Sequence, residues 1–146
     1  MIGVDVSLDK TDNLGPKTRQ AVMDYLEKGA DKGFSIYLER MPVDRGNMQQ
    51  NSYSPTRDGN VIRYGTRDIP YAEAIDEGTD PFQPPLEPLL EWSERVSDGP
   101  GLGYYVALHK IPEEGIDAQP FSQPAKEAQE RYYQSHSVQT FLDREL

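Results

Sequence analysis

The side chains that come nearest to an acid–base or metal-binding arrangement in this sequence are two histidines and two groups of carboxylates. His109 and His136 stand 27 residues apart, and neither belongs to an HExxH-like spacing that would set two ligands on one helix face. Both are expected at the surface or at helix ends. Glu73, Asp76 and Glu77 cluster on one predicted short helix, and Glu87, Glu91 and Glu94 line another. Paired carboxylates can serve as acid and base, but with 25 acidic residues in 146 such groups arise from composition alone. The absence of cysteine excludes thiolate nucleophiles, disulfides and cysteine-ligated zinc. Neither a glycine-rich phosphate loop nor a GxSxG elbow is present. The expectation is therefore no enzyme, no cofactor and no metal.

The elements that would position these groups follow from periodicity. Asp12 or Asn13 can cap a helix that begins near Pro16, since proline is well tolerated where a first-turn N–H has no partner anyway. From there Val22, Leu26, Gly29, Gly33 and Tyr37 recur at spacings of three and four, beside Ala30, Phe34, Leu38 and Met41. The pattern predicts a helix over residues 16–41, roughly 38 Å long at about 1.5 Å per residue. Gly29 and Gly33 weaken it by about 1 kcal/mol each relative to Ala. They mark either a loose surface face or a place where a sheet or a neighbouring subunit comes close. Pro42 ends the helix, because the residue before a proline is pushed out of helical backbone.

After an Asp44-Arg45-Gly46 turn, "NMQQNSYSP" and "GNVIRYGTR" flank Asp58-Gly59, a hairpin signal, which predicts strands at about 48–55 and 60–67. The first strand is nearly all polar, so its outer face must be wet or paired with another chain. Tyr71, Ala72 and Ile75 share one side of a short helix that Gly78 can end. Leu86, Leu89, Leu90, Ser93 and Val96 make the stripe of a second amphipathic helix, with Trp92 at its edge. "GLGYYVALHKI" predicts a third, stopped by Pro112, and a last helix runs from about Pro124 toward the C-terminus. The expected fold class is α+β: a long N-terminal helix packed on a small antiparallel β-sheet with two or three further helices. Residues 1–146 are expected to form a single domain, with 1–15 as an N-terminal arm, 16–137 as the core and 138–146 as a C-terminal tail.

Charge is the strongest global signal. Fifteen basic against 25 acidic residues leave −10, which repels nucleic acid over most of the surface. Between Arg40 and Arg67, five arginines face Asp44 and Asp58, a local +3 that leaves −13 for the remainder. This makes Arg57, Arg63 and Arg67 candidates for an interface with an acidic partner or with passing DNA. The acid excess would also suit a protein working in high salt. No run of residues approaches the roughly 18–20 apolar residues of a membrane span, and the N-terminus lacks a signal peptide's basic start, so a soluble chain with no membrane partner is expected.

Three segments resemble the neck and tail-completion (minor tail) proteins of long-tailed double-stranded DNA phages. These are a Pro-x-Asp-x-Gly element at Pro42, Asp44 and Gly46, a Tyr-Ala…Glu-Gly-Thr element at Tyr71, Ala72, Glu77, Gly78 and Thr79, and a Pro-Phe-x-x-Pro-Ala element at Pro120, Phe121, Pro124 and Ala125. The resemblance spans about residues 16–137. Two features depart from it: Asn47 and Met48 stand where many members have a Leu, and Pro112 shortens the helix before the third element. The resemblance implies a virion structural protein of the head-tail junction, assembled in the host cytoplasm, forming a homo-oligomeric ring that joins the tail tube to the head connector, with DNA passing non-specifically through its lumen. The acid excess extends this to a tailed virus of a haloarchaeal host. Such a family carries no catalytic residues. On physical grounds Gly46 and Gly78 can take positive φ at chain reversals, Tyr71 needs a partner for its hydroxyl, and Phe121 can fill the core at the start of the last helix. The alternative is a small acidic DNA mimic that occupies a host DNA-binding protein. A mimic would present rows of carboxylates, whereas this chain places a basic hairpin at its centre.

Overall fold

The computed structural model describes residues 2–7, 15–42, 47–69 and 71–145. The chain is α+β, as its patterning predicts. Three antiparallel strands, β1 (Ile2–Ser7), β2 (Ser52–Asp58) and β3 (Val61–Thr66), form a sheet in the order β1-β3-β2. The long helix α1 (Pro16–Arg40) lies on one face of this sheet, and α7 (Ser122–Ser135) and α8 (Val138–Glu145) pack on α1 from elsewhere around its circumference. Between sheet and C-terminal helices come α3 (Ala72–Glu77), α4 (Leu86–Val96), α5 (Gly101–Tyr105) and α6 (Ile111–Glu114).

α1 begins after Gly15, whose extended backbone serves as its N-cap with Pro16 in the first turn. The candidate caps Asp12 and Asn13 lie outside the described residues. Because α1 is covered from several directions, its buried set is wider than one stripe: Ala21, Met23, Gly29, Ala30, Gly33 and Tyr37. Ala21 and Met23 fall outside the predicted stripe, while Val22, Leu26, Phe34 and Leu38 are half-buried. Ile62 and Tyr64 of β3 and Val4 of β1 point at this helix from the sheet and join Tyr37, Met48 and Phe121 in one core.

Several expected boundaries are corrected. The arm expected at 1–15 includes strand β1, whose Ile2, Val4 and Val6 alternate toward the core with Gly3, Asp5 and Ser7 outward. The strand expected at 48–55 starts at Ser52, because Asn47–Gln50 form one helical turn, α2, which sinks Met48 into the core. β2 then runs on to Asp58 with a bulge between Tyr53 and Thr56. Pro55 sits in that bulge on an edge strand, where its missing N–H breaks no ladder bond. Pro112 does not stop its helix. The turn before it, Val106–Lys110, widens to a π-helix, and α6 continues with Pro112 in its first turn. The wider turn takes the proline ring and missing N–H that a regular helix would not. The last helix is two, broken at His136, whose backbone is extended, and the expected C-terminal tail is α8 against α1.

Candidate functional site

The predicted carboxylate cluster separates on folding. Asp76 is buried and accepts hydrogen bonds from the backbone N–H of Phe121 at 2.8 Å, from that of Ser122 at 2.9 Å, and from the Ser122 hydroxyl. It therefore caps the first turn of α7 from another helix. Glu73 and Glu77 are exposed. Among the described residues no group of three His, Asp or Glu is placed to hold a metal ion. His136 stacks on Tyr132 with ring centroids 4.2 Å apart, and exposed His109 lies beside Tyr105.

The second and third segments that carry the phage-protein resemblance converge. Phe121 is fully buried and meets Tyr37 edge-on at 5.0 Å. Ala72 and Ala125 are buried, and Tyr71 packs half-buried against the same core. Gly78 takes φ 75°, and a Cβ there would sit 2.9 Å from the backbone N of Ala118. Thr79 forms an isolated bridge with Ile116, and its hydroxyl accepts from the Ile116 N–H at 3.1 Å. Pro124 is half-buried in the first turn of α7, while Pro120 is exposed. Pro42 is half-buried after α1; Asp44 and Gly46 lie outside the described residues. Of the two readings of Gly29 and Gly33, the structure has the close approach, made by α7 and the sheet of the same chain: a Cβ on Gly29 would enter the Tyr133 ring, and one on Gly33 would meet the Tyr64 hydroxyl and lie 3.0 Å from the Ala125 carbonyl.

The three candidate arginines have different surroundings. Arg57 reaches from β2 to α1, bonding Asp24 at 2.5 Å and Glu27 at 2.9 Å. Burial works against its charge, but the two carboxylates outweigh it and hold its pKa above the ordinary arginine value. Arg63 lies on the outer sheet face between Asp5 at 3.3 Å and Asp58 at 3.7 Å. Arg67 is exposed and stacks over the Tyr53 ring at 4.2 Å; among the described residues it meets no carboxylate. Thus one of the three offers an uncompensated charge.

A second surface was missed from the sequence. Residues 82–115 fold as a helical lobe whose principal packing is internal. Gly103 brings α5 against α4, where a Cβ would lie 2.5 Å from the Leu89 carbonyl oxygen. Ala107, Ile111 and Ser93 are buried within the lobe. On their outer side lie Tyr104 (44% exposed), Tyr105 (56%), Leu102 (39%) and Leu108 (52%), with Leu86 and Val96 of α4 and Phe82 also exposed. The signal for it was in "GLGYYVALHKI", which lacks a polar face.

Comparison with protein families, with curated proteins and with solved structures finds no match.

Proposed function

We propose that this chain is a structural protein of the head-tail junction of a tailed virus, forming a ring that joins the tail tube to the head connector. The observation that carries this reading is the role of the resemblance-bearing residues. Ala72, Gly78, Thr79, Phe121 and Ala125 are occupied by folding contacts, and the buried carboxylate among these segments, Asp76, caps a helix. Such residues preserve a scaffold and leave chemistry aside, which suits a protein whose work is geometry.

The surface available to a neighbouring copy is the outer face of the sheet with its β2 edge. The bulge and Pro55 blunt that edge against strand addition. Contact there would therefore run through side chains, with the exposed Arg67 as the free charge meeting an acidic neighbour. Arg57 and Arg63 serve the chain's own fold.

The test is Arg67→Glu in the virus, with particles counted by electron microscopy. The expected result is a folded protein with separate filled heads and tails accumulating. Normal yields of tailed particles, together with absence of the protein from purified virions by antibody labelling, would overturn the reading. Native mass separates the competing DNA mimic, which would stay a monomer or dimer.

A further inference from the structure

We infer that the helical lobe of residues 82–115 is a docking surface for a different protein, one that presents an apolar stripe set among lysines or arginines. The inference stands on the lobe's own surface and does not rest on the head-tail reading. Its starting point is the helix running from α5 through the π-turn into α6. One side of it, Gly103, Ala107 and Ile111, is buried, with Gly103 seated against Leu89 of α4. The opposite side carries Tyr104, Tyr105 and Leu108, all exposed. A helix apolar on both sides needs a cover on both. Among the described residues every large exposed hydrophobic lies in this lobe, between Phe82 and Leu108. Seven such side chains gathered in 27 residues of one lobe, with none elsewhere among the described residues, are a concentration that scattered surface hydrophobics do not explain.

The charge around this surface selects its occupant. Within the lobe Glu87, Glu91, Glu94, Asp98, Glu113 and Glu114 face only Arg95 and Lys110, a net −4. Lys110 is already paired with Glu114 at 3.2 Å. Nucleic acid and anionic lipid surfaces are repelled by this excess. A second copy fits poorly in either geometry. Lobe against lobe sets −4 against −4, and lobe against the rest of a neighbouring copy finds none of the large exposed hydrophobics there among the described residues. A partner with an apolar stripe and a basic rim satisfies both parts of the surface at once.

Trp92 in α4 is the single tryptophan, so its fluorescence reports on the lobe in the full-length protein. Three synthetic helical peptides of equal length serve as probes: a Leu/Lys amphipath, a Leu/Glu amphipath, and a Ser/Lys peptide with the charge of the first. The Leu/Lys peptide is expected to shift the Trp92 emission and to bind at least about tenfold more tightly than either control, a difference of about 1.4 kcal/mol. Y105S combined with L108S, at exposed positions where the fold does not depend on them, should remove that advantage and leave the native mass unchanged. L102S is a second variant with the same expectation. Equal binding of all three peptides, or of none, would overturn the inference. So would a change in native mass on L102S or the double substitution, which would show that a second copy covers the lobe. None of these outcomes bears on whether the protein joins heads to tails.

Discussion

Asp76 and Phe121 show how much of the fold depends on single side chains in the resemblance-bearing segments. Phe121 fills a closed site against Tyr37, so Phe121→Ala should lower stability by about 3–5 kcal/mol in denaturant titration. A loss below about 1 kcal/mol would mean that the ring is not a core residue. Asp76→Ala leaves the buried N–H of Phe121 without its acceptor and should cost about 1–3 kcal/mol, with Asp76→Asn costing less because one oxygen remains. The role of Phe121 was legible from a large aromatic between two prolines. That of Asp76 was not, since a carboxylate capping a helix 46 residues away leaves no local pattern. The buried tyrosines give a pH prediction. Desolvation is the largest cause raising the Tyr37 pKa, to about 12, and it raises those of Tyr64 and Tyr133 too. The folded state thus holds these protons more tightly than the unfolded chain does. Their contribution is fully present below the unfolded value of about 10 and is lost as pH rises toward the folded value. Stability should fall from pH ~10 upward, and the phenolate absorbance of these three should emerge together with loss of helical circular dichroism. With nine tyrosines in the chain, phenolate absorbance that accounts for all nine by pH ~10 in a fully folded protein would show that these three rings are open to water.

At the scale of elements, α1 was the most legible, because over 25 residues the helical period of about 3.6 repeats its signal many times. Its second contact surface was not, since one apolar stripe explains only one neighbour, and α7 approaches through small residues that write no hydrophobic pattern. Gly33→Ala tests that approach. Helix propensity alone would stabilise α1 by about 1 kcal/mol. The added methyl would press on the Tyr64 hydroxyl and the Ala125 carbonyl, and overpacking of this kind costs about 1–3 kcal/mol. The melting temperature of Gly33→Ala should therefore fall; a rise would mean that α7 can move away from α1. β1 was hidden for another reason. Ile2, Val4 and Val6 alternate as a strand should, but six residues at a chain end match a flexible arm equally well until β3 supplies the partner. The π-turn before Pro112 was hidden because proline normally reads as a stop, and no sequence pattern marks a turn wide enough to take its ring.

For the whole molecule the excess of carboxylates dominates. Asp24, Glu27, Asp5, Asp58 and Glu114 have cationic partners within 4.0 Å, yet the chain still carries −10. The ion pairs are partly exposed and each is worth at most about 1 kcal/mol, so their loss to screening is small. Repulsion among the unpaired acids acts over the whole surface and grows as the screening length lengthens from about 3 Å at 1 M salt to about 30 Å at 0.01 M. The lobe contributes a dense share of it, with Glu87, Glu91 and Glu94 following one another along α4. Compaction is therefore favoured by salt on balance: screening relieves many long-range repulsions and weakens only a few short attractions. The melting temperature should rise steadily as sodium chloride is raised from about 0.01 M to 1 M. Substituting Gln for Glu87, Glu91 and Glu94 should flatten that rise. A curve that is level or falls with salt in the unsubstituted protein would show that the ion pairs of Arg57 and Arg63 outweigh the net charge, and would take away the physical argument for a high-salt setting.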